Sequence, residues 1–346
     1  MEKKVSITDI ARKVGVSAAL VSYVMNGREK EKRVGTETVK KIRRAAEELN
    51  YQPNQIARSL RLGSTKTIGL VVADIANPFF GQFARIVEDE AFKAGYTVVF
   101  GSSDEDDIKS AFVLDTLLNR QVDGLIVIPT EGSVKQITGL IRRKKPFVLF
   151  DRYFREVNCN HIILDNYKGT FIATRHLIEK GHRKIALVAY KTTLVHMKER
   201  IRGYTEALEE AGIDPAKYLV EMKFSHSYRD FENSIRAFFN KHSDTEALFC
   251  ANNGLSINSL YYIRQNCIRI PGDIDFIGFD GGEPFDLYST PLSFVRQPIE
   301  EMGKEVVRLL TDHMNGSTKI SHIMLDPELV IRESRNAEPR KLCLNV

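Results

Sequence analysis

From Lys66 onward, short apolar runs alternate with helical patterns, and this alternation restricts the possible folds more than any other feature of the chain. "TIGLVVA" gives way to an amphipathic stretch over 83–94, then come "YTVVFGS", a second such stretch over 111–121, and "VDGLIVIP". Apolar runs that alternate with helical segments predict parallel strands joined by crossover helices. The pattern resumes in "PFVLFD", "KIALVAY", "TEALFCANN" and "IDFIGFD", enough for two doubly wound halves.

Open parallel sheets bind ligands beyond the carboxyl ends of their strands. Asp74, Asp151, Asn252 and Asp280 each stand directly after an apolar run. A set that combines carboxylate, amide and guanidinium groups with aromatics suits a polyhydroxylated ring, whose hydroxyls take bidentate polar partners and whose C–H faces take flat apolar ones. No GxGxxG follows the first strand and there is no Walker loop, which argues against a nucleotide enzyme. The carboxylates have no nucleophile–base arrangement and no metal-ligand spacing beside them, so neither catalysis nor a metal or cofactor is expected.

At 346 residues and 43% hydrophobic content the chain exceeds one typical domain. Its charge is uneven: residues 1–66 hold 15 Lys/Arg against 7 Asp/Glu, a net of +8, while the rest carries −3. A basic module on a mildly acidic body fits nucleic acid, an anionic membrane or a solvated end. Cys159, Cys250, Cys267 and Cys343 are far apart, with no CxxC pair, and read as buried free thiols. With no apolar run of 18 or more residues and no secretory pattern in "MEKKVSITDI", the expected location is cytoplasmic, with no membrane partner.

The basic end opens with "VSITDIARKVGVSAALVSYVMNG". Thr8-Asp9 can cap a first helix bearing Ile10, Ala11 and Val14; Gly15 permits a turn; Ser17 can cap a second helix with Leu20, Val21 and Val24 inward. Thr36 or Thr38 then opens a third helix through Val39, Ile42, Ala45, Ala46 and Leu49. Three short helices around one core suit a helix-turn-helix unit, whose second helix would turn Ala18, Ala19, Ser22 and Tyr23 toward base edges.

"TDIARKVGVSAALVSYVMNG" resembles the DNA-binding headpiece of the lactose-repressor (LacI/GalR) family through Thr8, Ile10, Ala11, Gly15, Val16, Ser17, Val21, Ser22 and Asn26. Leu20 stands where the family usually has threonine, and Tyr23 where it often has Arg or His. With Ala18 and Ala19 this makes an apolar reading surface, better suited to thymine methyls than to guanine. "GREKEKRVG" is about three residues longer than usual; its Arg28, Lys30, Lys32 and Arg33 either contact phosphates or form a solvated loop. "LNYQPNQIARSLRLGSTKTIGLVV" resembles the family's hinge and first core strand. The resemblance implies that Asn54, Ala57, Arg58, Leu60 and Arg61 meet the minor groove, with Leu60 wedged between base pairs in a paired hinge helix too short to persist undocked.

The body resembles the periplasmic sugar-binding fold shared by that family. Matched motifs imply an effector site of Asp74, Asn77, Phe79 and Phe80, Asp151 and Arg152, Arg200, Phe224, Asn252, Asp280 and Gln297; His196 is either a further contact or a structural histidine. The expected fold is an all-α helix-turn-helix headpiece (1–51), a hinge (52–66) and an α/β core of two doubly wound parallel-sheet subdomains. The N-subdomain takes about 67–165 and 298–325, the C-subdomain about 166–297 and 326–340. The expected function is a homodimeric regulator that represses sugar-utilisation genes, bound to double-stranded operator DNA and released by a monosaccharide or sugar derivative. A purine-type corepressor is the alternative effector; a sugar transport component or a sugar enzyme fits the basic headpiece poorly.

Overall fold

In the computed structural model residues 5–52 and 63–332 are described here. The chain divides into two compact units at Thr65/Lys66.

The first unit packs α1 (Ile7–Val14), α2 (Ala18–Met25) and α3 (Thr36–Glu48) around Ile10, Ala11, Val21, Val24, Ile42, Ala45 and Ala46. The start of α1 lies earlier than the sequence suggested. Ser6 is its cap: the hydroxyl accepts from the Asp9 amide, and the Asp9 carboxylate accepts from the Ser6 amide at 2.9 Å, a closed capping box. Gly15 ends α1 at φ 73, a conformation glycine adopts freely. Ser17 caps α2 as expected, accepting from the Leu20 amide. Gly35 precedes α3, so Thr36 is its first residue and neither threonine caps it.

In the second unit the described strands form two six-stranded sheets. The first holds β1 (Thr67–Val72), β2 (Thr97–Ser102), β3 (Gly124–Val127), β4 (Phe147–Phe150), β5 (His161–Leu164) and β11 (His322–Leu325) in the order β11-β5-β4-β3-β1-β2. The second holds β6 (Ile185–Tyr190), β7 (Leu219–Met222), β8 (Ala247–Cys250), β9 (Asp275–Phe279), β10 (Ser293–Arg296) and β12 (Glu328–Val330) in the order β12-β10-β9-β8-β6-β7. All pairings are parallel except β10 with β12. The chain leaves the first sheet after β5, returns after β10 and leaves again after β11.

Helices cover both faces of each sheet. On the first, α4 (Pro78–Lys93) and α12 (Ile299–Met314) bury one face, and α5 (Asp107–Asn119) and α6 (Val134–Arg142) the other. On the second, α7 (Asn166–Glu179) and α8 (Val195–Glu210) oppose α9 (Tyr228–Lys241) and α10 (Asn253–Gln265); α11 (Glu283–Asp286) is one short turn. Several crossover helices begin on an Asn or Asp cap: Asn77 for α4, Asp106 for α5, Asp165 for α7 and Asn252 for α10. These caps explain why α4 and α5 start several residues before their apolar stripes. The α7–α8 pair is close because Gly203 has no side chain: a Cβ there would sit 2.3 Å from the Tyr167 carbonyl oxygen.

Cys159 and Cys250 are buried as expected, their thiols pushed up to about 12 by burial. Cys267 is exposed, which corrects the expectation for it, since it lies in the turn after α10; Cys343 falls outside the described residues. No helix among the described residues is long and apolar enough to cross a membrane.

Candidate functional site

In the headpiece, α2 leaves Ala18 and Ala19 exposed and Ser22 and Tyr23 half-buried, while Val21 and Val24 face the core. Its outer surface near the amino end is therefore small and apolar. Thr8 is exposed in the first turn of α1. Ser17 and Asn26 have local work: Ser17 caps α2, and the Asn26 amide donates to the Ser22 carbonyl and hydroxyl at its carboxyl end. The connection after α2 is a hydrogen-bonded turn rather than an open loop, with Lys32, Arg33 and Val34 donating back to Arg28, Lys30 and Glu29. Glu31 ties down both Arg28 (2.6 Å) and Lys32 (3.2 Å). Arg33 is exposed, at φ 51. Asn54, Ala57, Arg58, Leu60 and Arg61 lie outside the described residues.

In the second unit a group of buried polar side chains collects where the carboxyl ends of the two sheets face each other. Asp151 follows β4 and Asp280 follows β9, both with positive φ. Arg200, on α8 and 3% exposed, reaches between them: its Nε donates to Asn166 Oδ1 (2.7 Å), its Nη1 to the Ala251 carbonyl (2.6 Å), and its guanidinium lies 3.7 Å from the Phe279 ring centre. Gln297 donates to Asp280 Oδ1 (2.9 Å), and Asn253 donates to the Asp280 carbonyl (2.7 Å). Arg152 is held in a bidentate pair by Glu105, at 2.6 and 2.5 Å.

Burying so many charges perturbs them. Burial lifts the Asp280 carboxyl to about 7 despite Arg200 and the Gln297 hydrogen bond. Burial also raises Asp151, only partly offset by Arg152 and Arg200. It pulls Arg200 down, with Asp151 and Asp280 acting against it. It keeps His196 neutral, an effect that Arg152 and Arg200 reinforce.

Asp151 Oδ1, Arg152 Nε, His196 Nδ1, Asn253 Oδ1 and Gln297 Oε1 are buried without a hydrogen-bond partner. Unmet buried polar atoms are costly, on the order of 1–3 kcal/mol each, and such a concentration in one place makes this the candidate ligand site. Two hollows adjoin it. One of about 210 Å³ is lined by Arg152, His196, Phe224 and Asn252; another of about 600 Å³ is lined by Asp151 and His196. The lobes are joined across the cleft by Glu131 of the first, which accepts from the Thr193 amide (2.8 Å) and the Thr192 and Thr193 hydroxyls of the second, and by the Arg155–Glu199 pair (2.9 Å).

Of the remaining residues named from sequence, Asp74, Asn77, Phe79 and Phe80 are engaged locally and line neither hollow. Asn77 caps α4, and Asp74 Oδ1 accepts from the Ala76 amide. Phe79 and Phe80 are packed in the core beside Phe83 and Phe150. Asn252 caps α10 with its Oδ1 while still lining the smaller hollow. Sequence reasoning missed Glu105, Glu131, Asn166 and Tyr190. Each sits at or just beyond the carboxyl end of a strand, so applying the strand-end rule to every strand would have found them.

The family model described as "Bacterial regulatory proteins, lacI family" matches residues 6–54, and that described as "Periplasmic binding protein-like domain" matches residues 174–335. The HTH-type transcriptional repressor PurR of Aliivibrio salmonicida is 33% identical over 95% of this chain and 98% of its own. The ribose operon repressor of Haemophilus influenzae is 34% identical over the same shares. A solved complex of the transcriptional regulator CelR with cellobiose superposes with a TM-score of 0.71 at 28% identity, covering 96% of this chain and all of that one. Three-helix reader, two-sheet core and full-length similarity agree: the chain belongs to the lacI family of bacterial regulatory proteins, and is a DNA-binding transcription regulator rather than an enzyme.

Proposed function

We propose that this regulator is a homodimeric repressor whose operator affinity is set by a monosaccharide or close sugar derivative bound between the two sheets. The observation that carries this reading is the mixed set of unmet buried groups. Asp151 Oδ1, Asn253 Oδ1 and Gln297 Oε1 accept, Arg152 Nε donates, and neutral His196 can do either. Vicinal hydroxyls need donors and acceptors side by side, whereas a purely apolar ligand would leave all of them unsatisfied. Phe224 and Tyr190, 5.4 Å apart at the edge of the same hollow, offer flat faces for ring C–H groups.

A ligand that bridges the lobes favours one arrangement of them. The connector from the headpiece enters the first sheet through β1, so lobe geometry is the quantity that ligand and DNA share. Operator must then weaken inducer binding by the factor by which inducer weakens operator binding. Dimerisation is supported by an apolar surface on edge strand β2 and the adjacent α5, where Val99, Phe100, Ile108 and Phe112 are exposed, the last two 81% and 71%.

A thermal-shift screen of the full chain against monosaccharides, their derivatives and purine bases tests the effector. A ligand at ~100 times its Kd stabilises by about 2.7 kcal/mol. Stabilisation by a sugar, absent in Arg200→Ala, is the expected result; stabilisation by purines alone overturns the sugar reading and makes a corepressor the effector.

A further inference from the structure

The charges at one end of the cleft narrow the ligand further, on the reading that it is a sugar. The smaller hollow is lined by Glu105, Glu131, Arg152, Lys191 and Lys223, and its two acids are already engaged. Glu105 accepts both terminal nitrogens of Arg152, and Glu131 accepts three hydrogen bonds from Thr192 and Thr193. Lys191 and Lys223 form no ion pair among the described residues.

Their placement follows from strand register. Tyr190 and Met222 are partners at the ends of β6 and β7, so Lys191 and Lys223 leave the sheet side by side, with the Lys191 amide donating to the Met222 carbonyl at 2.8 Å. The sixteen-residue α8 opens at the same hollow. Leu194 precedes it with no side-chain cap and its own first turn has no acid, so the carboxylate nearest the positive end of the helix is Glu131 of the other lobe, on the Thr193 amide. His196 in that turn is 6% exposed and its Nδ1 has no partner. Two exposed lysines leaving neighbouring strands without an ion pair among the described residues, together with an unmet imidazole nitrogen, outnumber the one carboxylate of the hollow that holds no cation, Glu131.

We propose that the effector is an anionic sugar, a monosaccharide carrying a phosphate or carboxylate group that sits against Lys191 and Lys223. Both lysines are exposed and free of ion pairs among the described residues, so an anionic group at this end gains charge-assisted hydrogen bonds that a neutral sugar does not. The anionic group occupies the lysine end, and the ring hydroxyls meet the Asp151–Arg200–Asp280 group.

The full chain is titrated calorimetrically with glucose, ribose, glucose 6-phosphate, fructose 6-phosphate, ribose 5-phosphate, galacturonate, gluconate and inorganic phosphate. At least one anionic sugar is expected to bind tenfold or more tighter than its neutral parent. That advantage is expected to fall with added salt and to be lost in Lys191→Met/Lys223→Met, with circular dichroism confirming the fold. The phosphate and carboxylate series separate the two anions. Neutral sugars binding as tightly as every anionic one would overturn the anionic proposal and leave the sugar reading standing, as would an undiminished advantage in the double variant. Inorganic phosphate binding as tightly as any sugar phosphate would overturn it too. Binding by none of these sugars, with purines shifting the melting point, would overturn both.

Discussion

Asp151 and Asp280 occupy equivalent places in the two sheets. Each follows the third strand in from its sheet's β11 or β12 edge, each is in the left-handed region (φ 64 and 58), and each donates its amide to the neighbouring strand, Asp151 to Ile162 (2.9 Å) and Asp280 to Val295 (2.8 Å). Aspartate tolerates this conformation better than most residues, and in it both carboxylates enter the cleft with Arg200 acting on both. The proposed effector site is thus built on an approximate internal repeat, with an arginine of the second lobe placed asymmetrically across it.

That burial makes stability depend on pH. The Asp280 carboxyl is lifted to about 7, against 3.8 ordinarily, so the folded state holds a proton that the unfolded chain releases. The stability from this group is full below about pH 4 and is lost as pH rises through 7, on the order of 4 kcal/mol in all. Asp280→Asn keeps an acceptor for Gln297 and cannot ionise. Its melting temperature is expected to exceed that of the parent at pH 8 and to approach it at pH 5. Parallel curves for the two proteins across that range would remove Asp280 as the titrating group.

Gly203 couples packing to the site. Adding a methyl there drives a Cβ into the Tyr167 carbonyl (2.3 Å) and the Thr170 hydroxyl (2.4 Å), so α8 must move off α7. Overpacking of this kind costs roughly 1–3 kcal/mol. Because α8 carries both His196 and Arg200, Gly203→Ala is expected to lower the melting temperature and weaken effector binding together. A variant that loses stability but binds effector unchanged would show that the helix accommodates the methyl without shifting those side chains.

Dimerisation through the β2–α5 surface is tested by charge. Ile108 and Phe112 are one helical turn apart and both exposed. Phe112→Glu removes no core contact and places a carboxylate in the proposed interface, where desolvation is costly. Sedimentation is expected to show a monomer with the melting curve of a folded chain and weakened operator binding. A dimer of undiminished affinity would put the interface elsewhere.

Central strands could be read from sequence because both faces are buried, giving continuous runs such as "GLIV" and "FVLF"; β7, β11 and β12 could not, being short edge strands that carry Glu221, His322 and Glu328. Helix starts read late because the apolar stripe begins after the cap: Asp106 reads as loop polarity, and Asn77 reads as an effector contact although it caps a helix. The acids after β4 and β9 are visible in sequence for the reason that makes them candidates, their position at strand ends. Phe79 and Phe80 show the converse limit. On a helix over a sheet, an aromatic facing the core and one facing a ligand have the same sequence pattern, and here both are in the core. Lys191 and Lys223 were invisible because their proximity depends on β6–β7 pairing, 32 residues apart in number.

Operator binding should carry the signature of counterion release. The net +8 of residues 1–66 overstates the charge available to phosphates, since Arg28 and Lys32 are paired with Glu31, Lys40 with Glu37, Arg43 with Glu29, and Lys13 and Arg44 with Glu48. Among the described headpiece residues, Lys30, Arg33 and Lys41 are left without such a pair. The logarithm of the binding constant falls with the logarithm of salt concentration by about 0.9 for each phosphate neutralised. Arg33→Gln, acting once in each half of a dimer, is therefore expected to make that slope shallower by about 1.8 if the guanidinium meets phosphate. Arg28→Gln should change it less, because Glu31 already holds that guanidinium at 2.6 Å. Fluorescence anisotropy of a labelled operator over a salt series measures both slopes. Equal effects from the two variants would mean that the Glu31 pair opens on DNA, and no effect from Arg33→Gln would detach that turn from the phosphate backbone.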